Sequence, residues 1–387
     1  MAQIIGTEVN DSLEGTTGAD LIRGLAGDDY ISGLDGFDRL FGGGGNDEIR
    51  AGDAMMGHSR NVLYGGNGDD QLWGGQGDDT LMGGSGDDTI WSSATTPLKG
   101  HDHIEGGDGN DHMSISGATA TAIGGEGSDC FAVYAGSNLI DGTETGSWVD
   151  TVDYRNVFKR VIVNLAKGTA LTFDYGDTVG QDTLTDIEAA YGSDGNDRLV
   201  GGNPLNDGFE AFMGGDGADT ISGGSGHDVL FADHGWPQVG VTVDLRDHFA
   251  IDIFGNRDSV FGIEEVYATQ FDDTLSGNAA DNRFYLYAGD DHVNGRLGQD
   301  SISFYGTSFD GFAGVVVDLA AGTATGAGTK SLTSIEMVTG SALDDRIAGS
   351  AANNSLNSGA GDDWLSGRSG DDVLWGGGGD DRMIGGA

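Results

Sequence analysis

Gly65-Gly66-Asn67-Gly68-Asp69-Asp70-Gln71-Leu72-Trp73 runs straight into Gly74-Gly75-Gln76-Gly77-Asp78-Asp79-Thr80-Leu81-Met82, and that into Gly83-Gly84-Ser85-Gly86-Asp87-Asp88-Thr89-Ile90-Trp91. Each copy is a glycine-rich turn closed by an aspartate at the sixth position, then a short strand with an apolar residue at the eighth. Glycine permits turn conformations that a Cβ resists. The aspartate fixes a hard anionic oxygen in the turn. A unit this short cannot bury its single apolar side chain alone and must stack on its neighbours.

The same phase extends outward. From Gly6, Gly15, Gly24, Gly33 and Gly42, the sixth position holds Asp11, Asp20, Asp29, Asp38 and Asp47. The eighth holds Leu13, Ile22, Ile31, Leu40 and Ile49. Short insertions at 51–55 and 92–96 break the phase. After the first come a weak copy with Asn61 and Leu63 and then the three copies above; after the second come Asp102 with Ile104 and Asp111 with Met113. The copy at 115–123 is degenerate, with Ala120 in the acidic slot, and Asp129 and Asn138 close the block. Later copies carry Asp197, Asp219, Asp228, Asp273, Asp291 and Asp300, then Asp345, Asp363, Asp372 and Asp381.

A longer unit interrupts this series three times. Val161-Ile162-Val163-Asn164-Leu165, Val241-Thr242-Val243-Asp244-Leu245 and Val315-Val316-Val317-Asp318-Leu319 are versions of one β-branched strand. Each is followed by a second shared element ending in Ile187-Glu188, Ile263-Glu264 or Ile335-Glu336, and then by nonapeptides again. These are strand-rich spacers, about 149–191, 232–268 and 303–340, inserted as coils. The expected organisation is an N-terminal roll over 1–144 and a second, spacer-bearing roll over 145–387, together one continuous solenoid. No window has a sustained helical period, so the expected fold class is all-β.

Composition agrees. Gly numbers 73 and Pro only 3, which excludes collagen-like or proline-linker sequence. The 63 acidic against 18 basic residues give a net charge of -45, and such a chain repels itself when compact. Nucleic acid and anionic membrane are poor partners for it. Cys130 is the only cysteine, so no intrachain disulfide forms. The start, Met1-Ala2-Gln3-Ile4-Ile5, is not a Sec-type signal peptide, and no stretch is long and apolar enough for a membrane helix.

The acids sit at one phase of a repeat, which points to a metal. Two copies make a coil of about 18 residues. Stacked coils lie about 4.8 Å apart as parallel strands, so copies n and n+2 share an edge. Carbonyls near the second and fourth positions, as at Gly66, Gly68, Gly75, Gly77, Gly84 and Gly86, and the sixth-position carboxylates of neighbouring turns supply the oxygens that calcium prefers. Ions there turn repulsion into cohesion, so binding energy becomes folding energy. Copies with Asn61, Ala120, Asn138, Asn282 or Asn354 in the acidic slot are expected to bind weakly or not at all.

Position for position, Gly83-Gly84-Ser85-Gly86-Asp87-Asp88-Thr89-Ile90 resembles the RTX, or haemolysin-type calcium-binding repeat, family, and the resemblance covers nearly the whole chain. It implies a right-handed parallel β-roll, calcium-coupled folding outside the cell and type I secretion. The spacers look like those of alginate epimerases and adhesins. RTX proteins usually carry a secretion segment beyond the repeats. The sequence given stops at Arg382-Met383-Ile384-Gly385-Gly386-Ala387, so a longer protein or another export route is expected.

There is no His-Glu-x-x-His and no Gly-x-Ser-x-Gly. Cys130 has no paired base in its repeat. His101, His103 and His112 form a histidine cluster, but His103 and His112 fall in consecutive copies, on opposite sides of a roll, which disfavours zinc. The expected function is therefore a non-enzymatic, extracellular calcium-binding protein with a structural or interaction role and calcium-dependent end-to-end self-association. The alternative is part of a polysaccharide-active enzyme such as an alginate epimerase. Of the four lysines Lys99, Lys159, Lys167 and Lys330, two join Arg155 and Arg160 in the first spacer as a basic cluster that favours this alternative. Trp73, Trp91, Trp364 and Trp375 could add an aromatic stripe for sugar.

Overall fold

A computed structural model describes residues 1–52, 60–92, 100–116, 119–143, 149–174, 177–202, 208–232, 239–304, 314–326 and 328–386. Most of both short insertions, the expected 144/145 boundary and Lys99 lie outside these residues. The chain divides into two compact units, Met1–Gly202 and Asn203–Ala387. The first spacer belongs to the first unit and the other two to the second.

In the first unit the strands alternate between two parallel sheets. One sheet stacks Ala2–Ile5, Asp20–Ala26, Arg39–Gly44, Val62–Asn67, Thr80–Ser85, His101–Asp108, Thr119–Glu126 and Leu139–Asp141. The other stacks Ser12–Glu14, Tyr30–Ser32, Glu48–Arg50, Gln71–Trp73, Thr89–Trp91, His112–Ser116, Cys130–Ala135 and Thr151–Asp153. Copies n and n+2 therefore share an edge, as the period requires. Leu63 stands opposite Leu40 although the coil between them carries an insertion. The extra residues leave the register intact because the eighth-position side chains must keep facing inward. Ile22, Leu40, Leu63 and Leu81 on one sheet and Ile31, Ile49, Leu72 and Ile90 on the other have no exposed surface.

The spacers differ from the regular coils in strand direction. Val161–Asn164 runs antiparallel to Thr169–Asp174, which runs antiparallel to Asp177–Thr185. The outer strands of this trio rejoin the parallel stack, Asp177–Thr185 on Leu139–Asp141 and Val161–Asn164 on Arg198–Val200. Alternation selects the buried face: Val161 and Val163 are buried and Ile162 is not. The shared Asn/Asp at the fourth strand position makes the tight return. Asn164 Oδ1 accepts from the Lys167 N–H, and Gly168 follows at φ 60°.

The second unit repeats both themes. Its spacer trios are Thr242–Asp244, Phe249–Ile251, Arg257–Phe261 and Val316–Asp318, Thr323–Thr325, Thr329–Thr333. The opposite sheet continues without antiparallel strands from Phe209–Met213 through Glu265–Tyr267, Arg283–Tyr285, Ser301–Ser303 and Met337–Thr339 to Val373–Trp375. The architecture is an all-β roll. Among the described residues there is no α-helix, and the 3-10 turn Leu165–Lys167 is the nearest approach to one.

If the eighth position is the whole core of a copy, Leu72→Ala will cost about 2–5 kcal/mol in denaturant unfolding with calcium present. Gln71→Ala, one residue away and exposed, will stay within about 0.5 kcal/mol. Equal effects would show that the inward file does not hold the coils together.

Candidate metal centre

The stacked turns are tied together by their own aspartates. The Asp29 N–H donates to Asp47 Oδ1 at 2.8 Å, Asp47 to Asp70 at 2.7 Å, Asp70 to Asp88 at 2.7 Å and Asp88 to Asp111 at 2.8 Å. A second file runs Asp20, Asp38, Asn61, Asp79 and Asp102 on the other edge. The fifth positions bond in the reverse sense: the Asp87 N–H donates to Asp69 Oδ1, and Asn110 to Asp87. Each turn thus both gives to and receives from its neighbour. The fifth-position acids are latches on the exposed side of the turn.

One oxygen of each of these ladder carboxylates is thereby used. Oδ2 of Asp29, Asp38, Asp47, Asp70, Asp79, Asp88, Asp111, Asp300, Asp363 and Asp372 is buried and makes no hydrogen bond among the described residues. A buried carboxylate oxygen without a donor is costly.

The backbone at the second position decides which carboxylates are left this way. Gly43, Gly66, Gly84 and Gly107 have φ between 127° and 130°, and the Oδ2 of Asp47, Asp70, Asp88 and Asp111 is open. Leu25, Leu34, Arg296 and Arg368 take positive φ as well, at 93°, 67°, 74° and 72°, and Asp29, Asp38, Asp300 and Asp372 are open too. A non-glycine residue there costs about 1–2 kcal/mol. Where the second position is Thr or Ser with ordinary φ, its N–H turns inward and closes the site. Thr16 N donates to Asp20 Oδ2 at 2.6 Å, Thr269 to Asp273 at 2.8 Å and Ser341 to Asp345 at 2.6 Å. Thr7 and Ser193 do the same for Asp11 and Asp197. The hydroxyls of all five residues add a second bond.

Burial and hydrogen bonding compete at these carboxylates. Burial pushes Asp70 and Asp111 up to about 7 and Asp79 and Asp88 up to about 8; neighbouring aspartates add to the shift and main-chain N–H groups oppose it. At Asp20 burial also acts upward, but the N–H groups of Thr16 and Ala2 outweigh it and the net shift is downward. An open turn near neutral pH needs a proton or a cation.

The open turns suit a hard cation. A Cβ on Gly83 would stand between Asp88 Oδ2 and the Gly106 carbonyl, 2.7 Å from the latter. Cβ atoms on Gly84 and Gly86 would collide with the Gly66 and Gly68 carbonyls. At these three positions glycine leaves this oxygen-lined space clear. Among the described residues no three His, Cys, Asp or Glu side chains gather at one point, so main-chain carbonyls must supply much of the ligand set. A profile of the RTX calcium-binding nonapeptide repeat, in four copies, matches residues 5–40, 30–54, 59–90, 98–114, 189–203, 206–235, 267–302, 339–374 and 358–387, more than half of the chain. The chain belongs to this RTX family. The matched segments pass over the three spacer strands. No curated protein matches the chain significantly.

As an RTX repeat protein the chain binds calcium, and the open turns are where its residues fit the ion. The sixth-position Oδ2 and the carbonyls of the second and fourth positions would hold it. When bound, it supplies the positive charge that the buried carboxylates lack. Asp102, Asp129 and Asp381 accept from the previous turn as the other ladder members do, and the Asp219 N–H donates to Asp258. Burial beside Glu210 and Glu264 pushes Asp228 up to about 7, and the Glu210 N–H opposes the shift. Gly66, Gly68, Gly75, Gly77, Gly84 and Gly86 all have positive φ.

Six expected ligands stand apart. Asp11, Asp20, Asp197, Asp273 and Asp345 have Oδ2 closed by Thr or Ser, and Asp291 Oδ2 lies 2.7 Å from Lys330 Nζ. The geometry also adds members that spacing did not reveal. The Asp150 N–H donates to Glu188 Oε2 at 3.0 Å, Asp228 to Glu264 at 3.1 Å and Asp300 to Glu336 at 3.0 Å. The shared Ile-Glu of the spacers is thus the ladder acid of a coil that has no nonapeptide.

Leu34→Gly should raise stability in calcium by about 1–2 kcal/mol, by relieving its backbone, with no change in the number of bound ions. A loss of stability would show that the Leu34 turn is not strained. A second expectation concerns pH. Asp79 and Asp88 have folded values above the ordinary 3.8. In the metal-free protein their contribution is present below 3.8 and is lost as pH rises through about 8. Circular dichroism in chelator should therefore show more strand signal at pH 5 than at pH 8. The reverse order would remove the open carboxylates as the source of apo instability.

Proposed function

We propose that this protein is a secreted RTX roll that calcium folds outside the cell, with a structural or interaction role and no catalytic centre of its own. The observation that carries this reading is the repeated carboxylate with one oxygen bonded to the preceding coil and the other buried without a donor. At intracellular, low calcium these oxygens oppose stacking. At extracellular calcium they join the coils. A chain that stays loose until export and then folds in place fits that arrangement.

The histidines and the cysteine support the non-catalytic side. His103 and His112 lie in different sheets. Burial pushes the Cys130 thiol up to about 11, away from a reactive thiolate. The basic cluster that favoured a polysaccharide partner is internally neutralised in part: Arg155 pairs with Asp153 at 2.6 Å and Lys159 pairs with Asp174. Trp73 and Trp91 stack at 4.5 Å with Arg50 over Trp73, a packing role for two of the aromatic residues.

A calcium titration of chelated protein, followed by circular dichroism and by counting bound ions, tests the reading. The expected result is a cooperative rise in strand signal. Asp88→Ala should lower the ion count and, by leaving the Asp70 N–H without its acceptor, cost about 1–3 kcal/mol more. A strand spectrum indifferent to chelator would refute calcium-driven folding.

A further inference from the structure

The turn Leu286-Tyr287-Ala288-Gly289-Asp290-Asp291 keeps the fourth-, fifth- and sixth-position residues of a nonapeptide turn, with Leu286 and Tyr287 in place of the first two glycines. Its fifth-position latch is in place, since the Thr329 N–H donates to Asp290 Oδ1 at 2.8 Å. Its strand continues as usual: Ser331 N donates to Asp291 O at 2.8 Å, as Thr89 N does to Asp70 O. Thr329 and Ser331 therefore occupy the fifth and seventh positions of the next coil on this edge, and Lys330 occupies the sixth. In the other two spacers the same slot holds Asp182 and Asp258, which accept from Asn138 N and Asp219 N. In the third spacer the acid is replaced by a cation.

The ammonium lies where the ion's ligands converge. Lys330 Nζ is 2.7 Å from Asp291 Oδ2, 2.8 Å from the Tyr287 carbonyl and 2.7 Å from the Gly289 carbonyl. These are the sixth-position carboxylate and the second- and fourth-position carbonyls of one turn, the atoms assigned to calcium in the open turns. An ammonium has three N–H donors, and these three oxygens satisfy them. Lys330 is 1% exposed, and lysine is almost never so buried without such a set of partners.

We propose that Lys330 is a tethered substitute for calcium, so that the Leu286–Asp291 turn is held by the chain's own charge and takes up no ion. This rests on the assignment of calcium to the open turns. It makes one joint of the second unit independent of calcium, a nucleus on which the calcium-requiring coils can stack as the ion rises.

Hydrogen exchange of the wild-type protein with calcium and with chelator, read by peptide, tests this without any variant. Chelation should lower protection of 83–89 by at least ~100-fold and that of 286–292 by less than ~10-fold. Lys330→Asp, which restores the residue type of the other two spacers, should add one bound calcium and make 286–292 as calcium-dependent as 83–89. Equal collapse of both segments in the wild type overturns the proposal, as does a folded Lys330→Asp protein with an unchanged ion count. If neither wild-type segment responds to chelator, the calcium assignment itself is what fails.

Discussion

The structure depends on a carboxylate with two different tasks. One oxygen accepts the N–H of the coil before it, which fixes the stacking distance and buries the group. The other is then held in the interior with nothing to bond. Asp88 shows both halves: Oδ1 on the Asp70 N–H and Oδ2 against Gly83 of its own turn. The hydrogen bond that builds the stack creates the need for the cation. Stacking these turns therefore buries negative charge in a chain that already carries a net charge of -45.

The backbone at the second position sets whether that need exists. Positive φ there goes with an open Oδ2, and Thr or Ser with ordinary φ turns its N–H inward onto that oxygen. Glycine adopts the first at no steric cost, yet Leu25, Leu34, Arg296 and Arg368 adopt it against their preference. Strain held at four non-glycine positions, each beside an open carboxylate, ties the conformation to the site and not to the residue type. Arg296 and Arg368 offset part of the cost through ion pairs to Asp244 and Asp318 in the spacers.

The period, the acidic slot and the inward file were legible in the sequence because each recurs at fixed spacing. Ile22, Leu40 and Leu72 are buried as the eighth position demands. The distinction between open and closed turns was written there too, as Gly84 against Thr269 or Ser341, but a list of sixth-position acids cannot express it. It depends on where an N–H points, which spacing alone does not encode. Glu188, Glu264 and Glu336 were visible as a shared element but lay outside the nonapeptide phase, so their place in the ladder emerged only once the coils were stacked. Lys330 read as one of four scattered lysines. Its role comes from a strand pairing that sets it beside Asp291, a contact 39 residues away in sequence by the neighbouring Thr329–Asp290 latch.

Three of the five closed turns stand directly after a spacer. Asp197, Asp273 and Asp345 each follow a spacer, and their Oδ1 accepts not from an earlier turn but from Val161, Val241 or Val315 at the start of the spacer strand. At the first junction the Lys159 carbonyl of the spacer is itself taken up by the Ser193 hydroxyl, and each carboxylate is completed from within its own turn. Ser193, Thr269 and Ser341 close it with an N–H and a hydroxyl. The antiparallel spacers thus fit a parallel calcium roll because each junction supplies hydrogen-bond donors in place of the ion.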